Sequence, residues 1–274
     1  MVMAAAEMNI ATVAPGVRIA YQDEGDGAPA VVFLHGSFAD HTYYAPQVEH
    51  LAARHRVLAL DLRGHGCSDR PADGYRLSDL ADDVLAVCDA AGVERAVVCG
   101  HSGLAIVALL CAARRPDLVA GVVMLDGTVL FPDEMRAQAL AGLVPALETD
   151  AWAEAMKGWL LARTFGPYDS PELKERVAEA ITGGTRQLAA PLMRDIFSSD
   201  HADALTASKC PLLYIHGSVP ADLGRLRRLR PDAIVAAVAA AGHYMSLEVP
   251  DQVNAMLDRF LDRVVGAGGG RAQP

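Results

Sequence analysis

The sequence predicts an α/β fold built on a mainly parallel sheet. Short apolar runs that end in turn residues alternate with segments of helical spacing over most of the 274 residues. Runs that are apolar without interruption are typical of strands buried on both faces. Strands separated by helices form βαβ units, in which neighbouring strands are parallel. The alternation is interrupted once, between Gly127 and Ser208, which indicates a helical insert.

The strands are predicted in chain order. A first hairpin is expected from residues 8–13 and 17–25, with Pro15 and Gly16 at its turn. Further apolar runs are predicted to form the parallel part of the sheet: 30–36, 56–61, 95–100, 120–127, 210–217 and 233–240.

Two helices between these strands are predicted from apolar spacing. Residues 77–92 are amphipathic, with Ser78 as the expected N-cap and Gly92 as the stop. Residues 103–116 are apolar on nearly all sides, as in a helix that is buried against a sheet. Both segments connect predicted strands, which supports the βαβ arrangement.

The long insert defines the expected domain organisation. Residues 1–126 and 208–265 are predicted to form the core domain, residues 127–207 a helical lid, and the Gly-rich residues 266–274 a flexible tail. The lid segment contains several aromatic residues, among them Phe131, Trp152 and Trp159. These side chains either line a substrate pocket or form the core of the lid.

Composition and charge exclude several classes of protein. The chain is 52% hydrophobic and 21% charged, as globular proteins are, and its net charge of −10 argues against binding to nucleic acid. No apolar run approaches the roughly 20 residues of a membrane span. The five cysteines have no CxxC spacing, and the start of the sequence lacks a basic segment typical of a signal peptide. We expect a cytoplasmic monomer or homodimer that acts on a small molecule, without nucleic-acid or membrane partners.

A turn between a strand and a helix contains the first candidate catalytic residue. The apolar run that ends at Gly100 is followed by His101, Ser102 and Gly103, and then by the apolar helical segment. Such a turn either requires small residues for tightness alone or exposes the serine hydroxyl at a helix N-terminus, as a nucleophile elbow does. The fifth position of the usual Gly-x-Ser-x-Gly pattern holds Leu104 instead of glycine.

A histidine near the C-terminus is the candidate base for this serine. A serine hydroxyl is a poor nucleophile unless a base, oriented by an acid, lies within hydrogen-bond reach. His243 lies in a Gly-containing loop between the last predicted strand and a helix. This position distinguishes it from the eight other histidines of the chain.

The chain resembles the α/β-hydrolase family from about Val17 to Leu261. Four motifs carry the resemblance in the order of the family: FLHGSFADH at 33–41, LALDLRGHGCSDRP at 58–71, GHSGL at 100–104 and GHYMSLEVP at 242–250. The resemblance implies an eight-stranded, mostly parallel sheet with a helical lid after strand six. It also implies an oxyanion hole formed by the backbone N–H groups of Ser37 and Gly103, with that of Phe38 as the alternative to Ser37.

The acid of the expected triad has two candidates. In the commonest version of the family the acid follows strand seven, where this chain has Pro220 and, two residues later, Asp222. Some members, including certain lactone hydrolases and dehalogenases, have the acid at the end of strand six, where this chain has Asp126. We predict Asp126, with Asp222 as the alternative.

These residues predict a serine hydrolase that cleaves a carboxylic ester or lactone through an acyl-enzyme. No cofactor is expected, and no metal site, because neither an H-E-x-x-H nor an H-x-H-x-D-H pattern occurs. The alternatives are a cofactor-independent dioxygenase of this fold, which would use the His/Asp pair, and a haloperoxidase; a ligand receptor without turnover is a third. The residues expected to line the substrate pocket are Phe38, His101, Phe131, Trp152 and Trp159.

Overall fold

A single eight-stranded sheet forms the centre of the computed structural model, which describes residues 8–127, 129–217 and 221–268. Its strands are β1 (Asn9–Ala14), β2 (Val17–Glu24), β3 (Ala30–Leu34), β4 (Val57–Asp61), β5 (Ala96–His101), β6 (Val119–Leu125), β7 (Leu212–His216) and β8 (Ile234–Ala237). The order across the sheet is β1-β2-β4-β3-β5-β6-β7-β8. Pairing is antiparallel for β1 with β2 and for β2 with β4, and parallel for all other neighbours.

This topology confirms the mainly parallel sheet that the sequence predicts. β5, which leads to Ser102, lies between β3 and β6, and Val98 is opposite Val32 on one side and Val122 on the other. The carboxyl ends of β3, β5, β6 and β7 therefore meet at one edge of the sheet. In an open α/β sheet this edge is where ligands bind.

Helices cover both faces of the sheet. In chain order they are α1 (Ala45–Leu51), α2 (Leu77–Ala90), α3 (Ala105–Arg114), α4 (Asp133–Gln138), α5 (Val144–Leu147), α6 (Trp152–Thr164), α7 (Pro171–Thr182), α8 (Arg186–Ser198), α9 (Ala202–Ala207), α10 (Leu223–Leu229), α11 (Met245–Glu248) and α12 (Pro250–Gly268). Successive β3 residues face opposite apolar clusters: Val32 and Leu34 contribute to the cluster with α2 and α3, and Val31 and Phe33 to that with α1 and α12. Burial on both faces explains why the parallel strands are continuously apolar.

The insert after β6 consists of α4 to α9, with a π-helical segment over Ala139–Leu143 between α4 and α5. This confirms the predicted helical insert after strand six. Met193 and Ile196 of α8 belong to the same buried cluster as Leu104 and Ala105 at the start of α3. The insert therefore packs directly over the turn that contains Ser102.

Several boundaries differ from the expectations, and the last strand, predicted over 233–240, covers only Ile234–Ala237. Ser78 is not the N-cap of α2: the helix begins at Leu77, and the carboxylate of Asp79 accepts a hydrogen bond of 3.0 Å from the N–H of Arg76. An acid at the third helical position thus satisfies the N–H of the residue before the helix. At the other end of the chain, α12 extends to Gly268, three residues into the predicted tail, and residues 269–274 lie outside the described part.

Candidate active site

The turn between β5 and α3 holds Ser102 in an unusual backbone conformation. Ser102 has a φ angle of 57°, in the left-handed region that costs an L-residue roughly 1–3 kcal/mol. The chain bends sharply there because Gly100 has no side chain: a Cβ atom at Gly100 would lie 2.5 Å from the Cα of Ala105. Leu104, which stands where the family usually has glycine, is fully buried with helical backbone angles. The strand, turn and helix form the context of a nucleophile elbow.

Replacement of Gly100 with alanine is expected to destabilise the protein by about 1–3 kcal/mol, because the new methyl group overlaps backbone atoms that cannot move independently. The control is Gly158→Ala in α6, where a Cβ atom meets nothing within 4 Å and the helix gains about 0.5–1 kcal/mol. Urea denaturation of both variants measures the two effects. Equal midpoints for Gly100→Ala and the unchanged protein would contradict the steric argument.

His243 and Asp126 form a buried hydrogen-bonded pair. The Nδ1 atom of His243 lies 2.8 Å from Oδ2 of Asp126, and their side chains are 2% and 0% exposed. The other carboxylate oxygen of Asp126 accepts a hydrogen bond of 2.7 Å from the N–H of Gly217, at the end of β7. With the Nδ1 proton directed to the carboxylate, Nε2 of His243 is the nitrogen that can accept a proton.

The histidine loop is held in place by the elbow and by the insert. Nε2–H of His101 donates to the carbonyl of His243 at 2.9 Å, and the N–H of His243 lies 3.3 Å from the carbonyl of Thr164 in α6. Oδ1 of Asp169 accepts a 2.8 Å hydrogen bond from the N–H of Gly242. Burial lowers the pKa of His101 to about 3, so this ring is neutral and acts as a support. The insert thus contributes directly to the position of the candidate base.

Asp222, the alternative acid, lies in a different environment. Its carboxylate accepts a hydrogen bond of 2.7 Å from the N–H of Arg225 and caps α10. The side chain is half exposed and lies 4.0 Å from the guanidinium of Arg228. Pro220, the position at which the commonest form of the family has its acid, falls outside the described residues. In the described part of the chain, the carboxylate that contacts His243 is that of Asp126.

The loop after β3 approaches Ser102 closely. A Cβ atom on Gly36 would lie 3.3 Å from Cβ of Ser102 and 2.7 Å from Nδ1 of His101, so only glycine permits this approach. Within the described ranges, the backbone N–H groups of Ser37 and Phe38 donate to no protein acceptor. Gly103 lies in the first turn of its helix, where N–H groups lack partners in the helix. Free N–H groups on both sides of Ser102 can stabilise a developing negative charge on oxygen.

A small, mostly apolar cavity opens at Ser102. Its volume is about 50 Å³, enough for the reacting end of a substrate. The residues that line it are Ser37, Ser102, Gly103, Phe131, Met135, Trp159, Leu160, Arg163, Thr164, Met193, Ile196, Phe197 and His243. The cavity therefore combines the candidate serine and the candidate base with Ser37 of the loop after β3 and with the insert helices.

Phe131 and Trp159 are two of the five predicted pocket residues, and both line this cavity. The other three, Phe38, His101 and Trp152, are absent from its described lining. The ring centroids of Phe38 and Trp152 lie 6.1 Å apart, so these two rings pack against each other, and His101 lies buried under the histidine loop. The direction of a side chain in a helical insert depends on helix packing, which apolar spacing alone does not define.

Sequence reasoning did not single out Arg163 or Thr164, which also line the cavity. The only available signal was that Arg163 follows Trp159 by four residues, which places both on one face of a helix. Trp159 stacks edge-to-face on Phe197, with ring centroids 5.8 Å apart. The insert therefore supplies a cavity wall that is aromatic and carries one cation.

A second His–Asp pair, with Asp61 buried and His41 partly buried, connects the end of β4 to the segment that follows the loop after β3. Oδ1 of Asp61 accepts hydrogen bonds from the backbone N–H of His41 at 2.8 Å and from its Nδ1 at 2.9 Å. Burial alone would raise the pKa of Asp61, but the hydrogen bonds from His41 and from the N–H of Cys67 outweigh it and lower the pKa from 3.8 to about 2. The hydrogen bond to Asp61 in turn raises the pKa of His41 above 6.5.

This pair predicts a defined pH dependence of stability. The lowered pKa of Asp61 contributes stability that is present above pH 3.8 and is lost as the pH falls towards 2. The raised pKa of His41 contributes stability that is present below pH 6.5 and is lost as the pH rises through the raised value. The free-energy difference between the unchanged protein and Asp61→Asn is therefore expected to shrink by about 2 kcal/mol between pH 4 and pH 2. Urea denaturation at several pH values measures it.

The control for this measurement is Asp26→Asn, because Asp26 is exposed and makes no hydrogen bond or ion pair with a described residue. Its stability is expected to follow that of the unchanged protein at every pH. A constant difference between the unchanged protein and Asp61→Asn from pH 4 to pH 2 would contradict the assigned pKa shift.

Among residues 8–127, 129–217 and 221–268, no group of three or more His, Cys, Asp or Glu side chains is arranged to hold a metal ion. No helix in these ranges is both long and apolar enough to cross a membrane.

The strand order, the mostly parallel pairing and the helices on both faces are those of the α/β-hydrolase fold. The family model described as "alpha/beta hydrolase fold" matches residues 29–250, and the chain belongs to this family. It is therefore an enzyme of the α/β hydrolase family, with hydrolases among its relatives.

The chain is similar to 2-(acetamidomethylene)succinate hydrolase of Mesorhizobium japonicum, with 29% identity over 258 residues that cover 90% of this chain and 92% of the relative. It is also 29% identical to 3-oxoadipate enol-lactonase 1 of Acinetobacter baylyi, over 74% of this chain and 76% of that one. Among solved structures, E-2-(acetamidomethylene)succinate hydrolase superimposes with a TM-score of 0.76 and 27% identity, over 93% of this chain and 99% of that chain. An esterase of Thermogutta terrifontis superimposes with a TM-score of 0.81 at 24% identity, over 94% of this chain and 99% of that chain, and shows the shared fold.

Proposed function

We propose that the protein is a serine hydrolase that cleaves a carboxylic ester or lactone of a small molecule through an acyl-enzyme. The observation that carries this proposal is the 2.8 Å contact between His243 and Asp126 beside a cavity that His243 shares with Ser102. The left-handed backbone of Ser102 supports it, since strain of this kind is typical of a nucleophile elbow. The hydrolases and the enol-lactonase among the relatives agree with this class of reaction.

In the first half of the reaction, Ser102 is acylated. Nε2 of His243 takes the hydroxyl proton as Oγ of Ser102 attacks the carbonyl carbon, and the carbonyl oxygen becomes an oxyanion. Asp126 stabilises the imidazolium and keeps its ring oriented. The N–H groups of Ser37 and Gly103 hold the oxyanion, and one such donor lowers the barrier by about 2.7–4 kcal/mol. The tetrahedral intermediate then collapses, and the leaving alkoxide receives the proton from His243.

In the second half, water releases the acyl group. His243 accepts a proton from a water molecule while the water oxygen attacks the carbonyl carbon of the acyl-enzyme. The N–H groups of Ser37 and Gly103 hold the second oxyanion. Collapse of this intermediate returns the proton to Oγ of Ser102 and frees the carboxylic acid. The two half-reactions use only side chains and N–H groups of this chain, the substrate and water. We therefore propose that no cofactor takes part.

A fluorophosphonate probe tests the nucleophile directly. We expect it to modify Ser102, and peptide mapping by mass spectrometry identifies the modified residue. The probe requires an activated serine beside an oxyanion hole, so a denatured sample serves as the control that is not labelled. A folded sample in which Ser102 remains unmodified would overturn the acyl-enzyme mechanism.

The pair of His243 and Asp126 is also the element that a cofactor-independent dioxygenase of this fold would use. In that alternative, His243 deprotonates a heteroaromatic substrate and Ser102 is dispensable. The variant Ser102→Ala distinguishes the two: a hydrolase loses turnover of esters and lactones, and a dioxygenase retains consumption of oxygen with its substrate. Haloperoxidase activity would require the same residues as the hydrolase, and its loss in Ser102→Ala would accompany the loss of ester cleavage.

A further inference from the structure

One charged side chain lies in the otherwise apolar wall that faces Ser102. Arg163 lines the cavity together with aromatic and aliphatic residues of the insert, and with Ser102 and His243. It is half-buried in the last turn of α6. A cation in such a surrounding is costly unless it meets a partner.

The described part of the chain supplies no anionic partner for Arg163. No carboxylate lies within 4.0 Å of its guanidinium there, whereas three other arginines of the insert have one: Arg136 with Asp133, Arg186 with Asp150 and Arg194 with Glu148. The guanidinium carbon lies 3.7 Å from the ring centroid of Trp159, and Nη1 donates to the Trp159 carbonyl at 3.3 Å. A guanidinium has five N–H donors, so most of them have no acceptor among the described residues.

Stacking on Trp159 also orients the guanidinium. Trp159 is itself held by its edge-to-face contact with Phe197, another residue of the cavity wall. A planar guanidinium fixed on an aromatic ring presents its fork of donors in a defined direction. This fork matches the two coplanar oxygens of a carboxylate.

We infer that Arg163 binds a carboxylate of the substrate, and hence that the enzyme selects esters or lactones that carry a carboxylate near the scissile carbonyl. The inference rests on the proposed function, because it places this anion site beside Ser102. Arg163, Ser102 and His243 line the same cavity, so one bound molecule can contact all three. Within this cavity the described lining contains no Asp or Glu that would repel such a substrate.

The test compares two esters with the same leaving group and acyl chains of similar length: 4-nitrophenyl butyrate and the 4-nitrophenyl monoester of succinate. We expect kcat/KM to favour the succinate ester by about 10- to 100-fold, the range for a charge-assisted interaction in an apolar site. In Arg163→Met this preference is expected to disappear while hydrolysis of the butyrate ester continues. If the methionine variant does not fold, Arg163→Gln provides the same comparison.

The matched control is Arg176→Met. Arg176 also belongs to the insert and lies over an aromatic ring, that of Tyr43 at 4.3 Å, but it does not line the cavity. Its replacement is expected to leave the preference between the two esters unchanged. Equal ester preference in the unchanged protein and in Arg163→Met would overturn the inference.

A binding measurement separates this inference from the proposed reaction. Calorimetric titration of succinate is expected to show binding to the Ser102→Ala variant. In the double variant Ser102→Ala, Arg163→Met the dissociation constant is expected to rise by at least about tenfold. If neither ester is hydrolysed but succinate binding depends on Arg163, the anion site stands and the proposed hydrolysis fails. If both esters are hydrolysed and succinate binds equally with and without Arg163, the hydrolysis stands and the anion site fails.

Discussion

Replacement of Ser102 with alanine is expected to lower kcat/KM for an ester substrate by about five to six orders of magnitude, because no other group in the mechanism forms the acyl-enzyme. The side chain of Ser102 is small and its backbone already adopts the left-handed conformation, so alanine is expected to fold in the same way. Steady-state hydrolysis of a 4-nitrophenyl ester measures the loss, and circular dichroism checks the fold.

The control for this variant is Ser78→Ala. Ser78 lies in the first turn of α2, its hydroxyl makes no hydrogen bond to a described residue, and it is remote from the cavity lining. The activity of the Ser78→Ala variant is expected to equal that of the unchanged protein. Retention of more than about a hundredth of the activity in Ser102→Ala would contradict the role of Ser102 as the nucleophile.

The second large effect is expected for Asp126→Asn, with a fall in kcat of about 10⁴-fold. The structure explains its size. One carboxylate oxygen of Asp126 accepts a hydrogen bond from the N–H of Gly217, and the other faces Nδ1 of His243. In the asparagine variant the amide oxygen would take the first position, because only it can accept this hydrogen bond. The NH₂ group would then face Nδ1 of His243. Nδ1 would then have to accept a hydrogen bond, which moves the ring proton to Nε2. His243 would lose the nitrogen that accepts the proton of Ser102.

Asp222→Asn is the matched control, because it makes the same chemical change in the other candidate acid. Asp222 caps α10 and is half exposed, so its replacement is expected to change stability slightly and kcat not at all. The outcome that would reverse the assignment is full activity in Asp126→Asn together with loss of activity in Asp222→Asn. The ratio of the two kcat values, measured at saturating substrate, decides between them.

Local sequence was sufficient for the strands and for two of the proposed catalytic residues. β3 and β4 are buried throughout, which makes their apolar runs visible without any knowledge of neighbours. Ser102 and His243 each lie in a short motif whose turn requires particular residues. A turn is a property of a few consecutive residues, so these positions could be predicted from the chain alone.

The residues that line the cavity could be predicted only in part from the sequence. Phe131 and Trp159 line the cavity and Trp152 does not, although Trp152 and Trp159 belong to the same helix, seven residues apart. Residues seven apart lie on one face of an α-helix, about two turns from each other, so the two rings differ in their position along α6. Which turn of α6 meets the cavity depends on contacts with residues distant in sequence, such as the one between Trp159 and Phe197. The same contacts place Arg163 at the cavity. Its spacing of four residues from Trp159 indicates a shared helix face but does not show that this face meets the cavity.

The amino-acid sequence by itself determined the class of fold, the order of strands and insert along the chain, and the turn that presents Ser102. The tertiary structure decided which carboxylate meets His243, because β6 lies beside β5 and β7 and thus brings Asp126 to the histidine loop while Asp222 serves α10. It also decided which insert side chains face Ser102. Strand formation and turns depend on neighbouring residues, whereas the meeting of groups 117 positions apart depends on how the whole sheet and its insert pack.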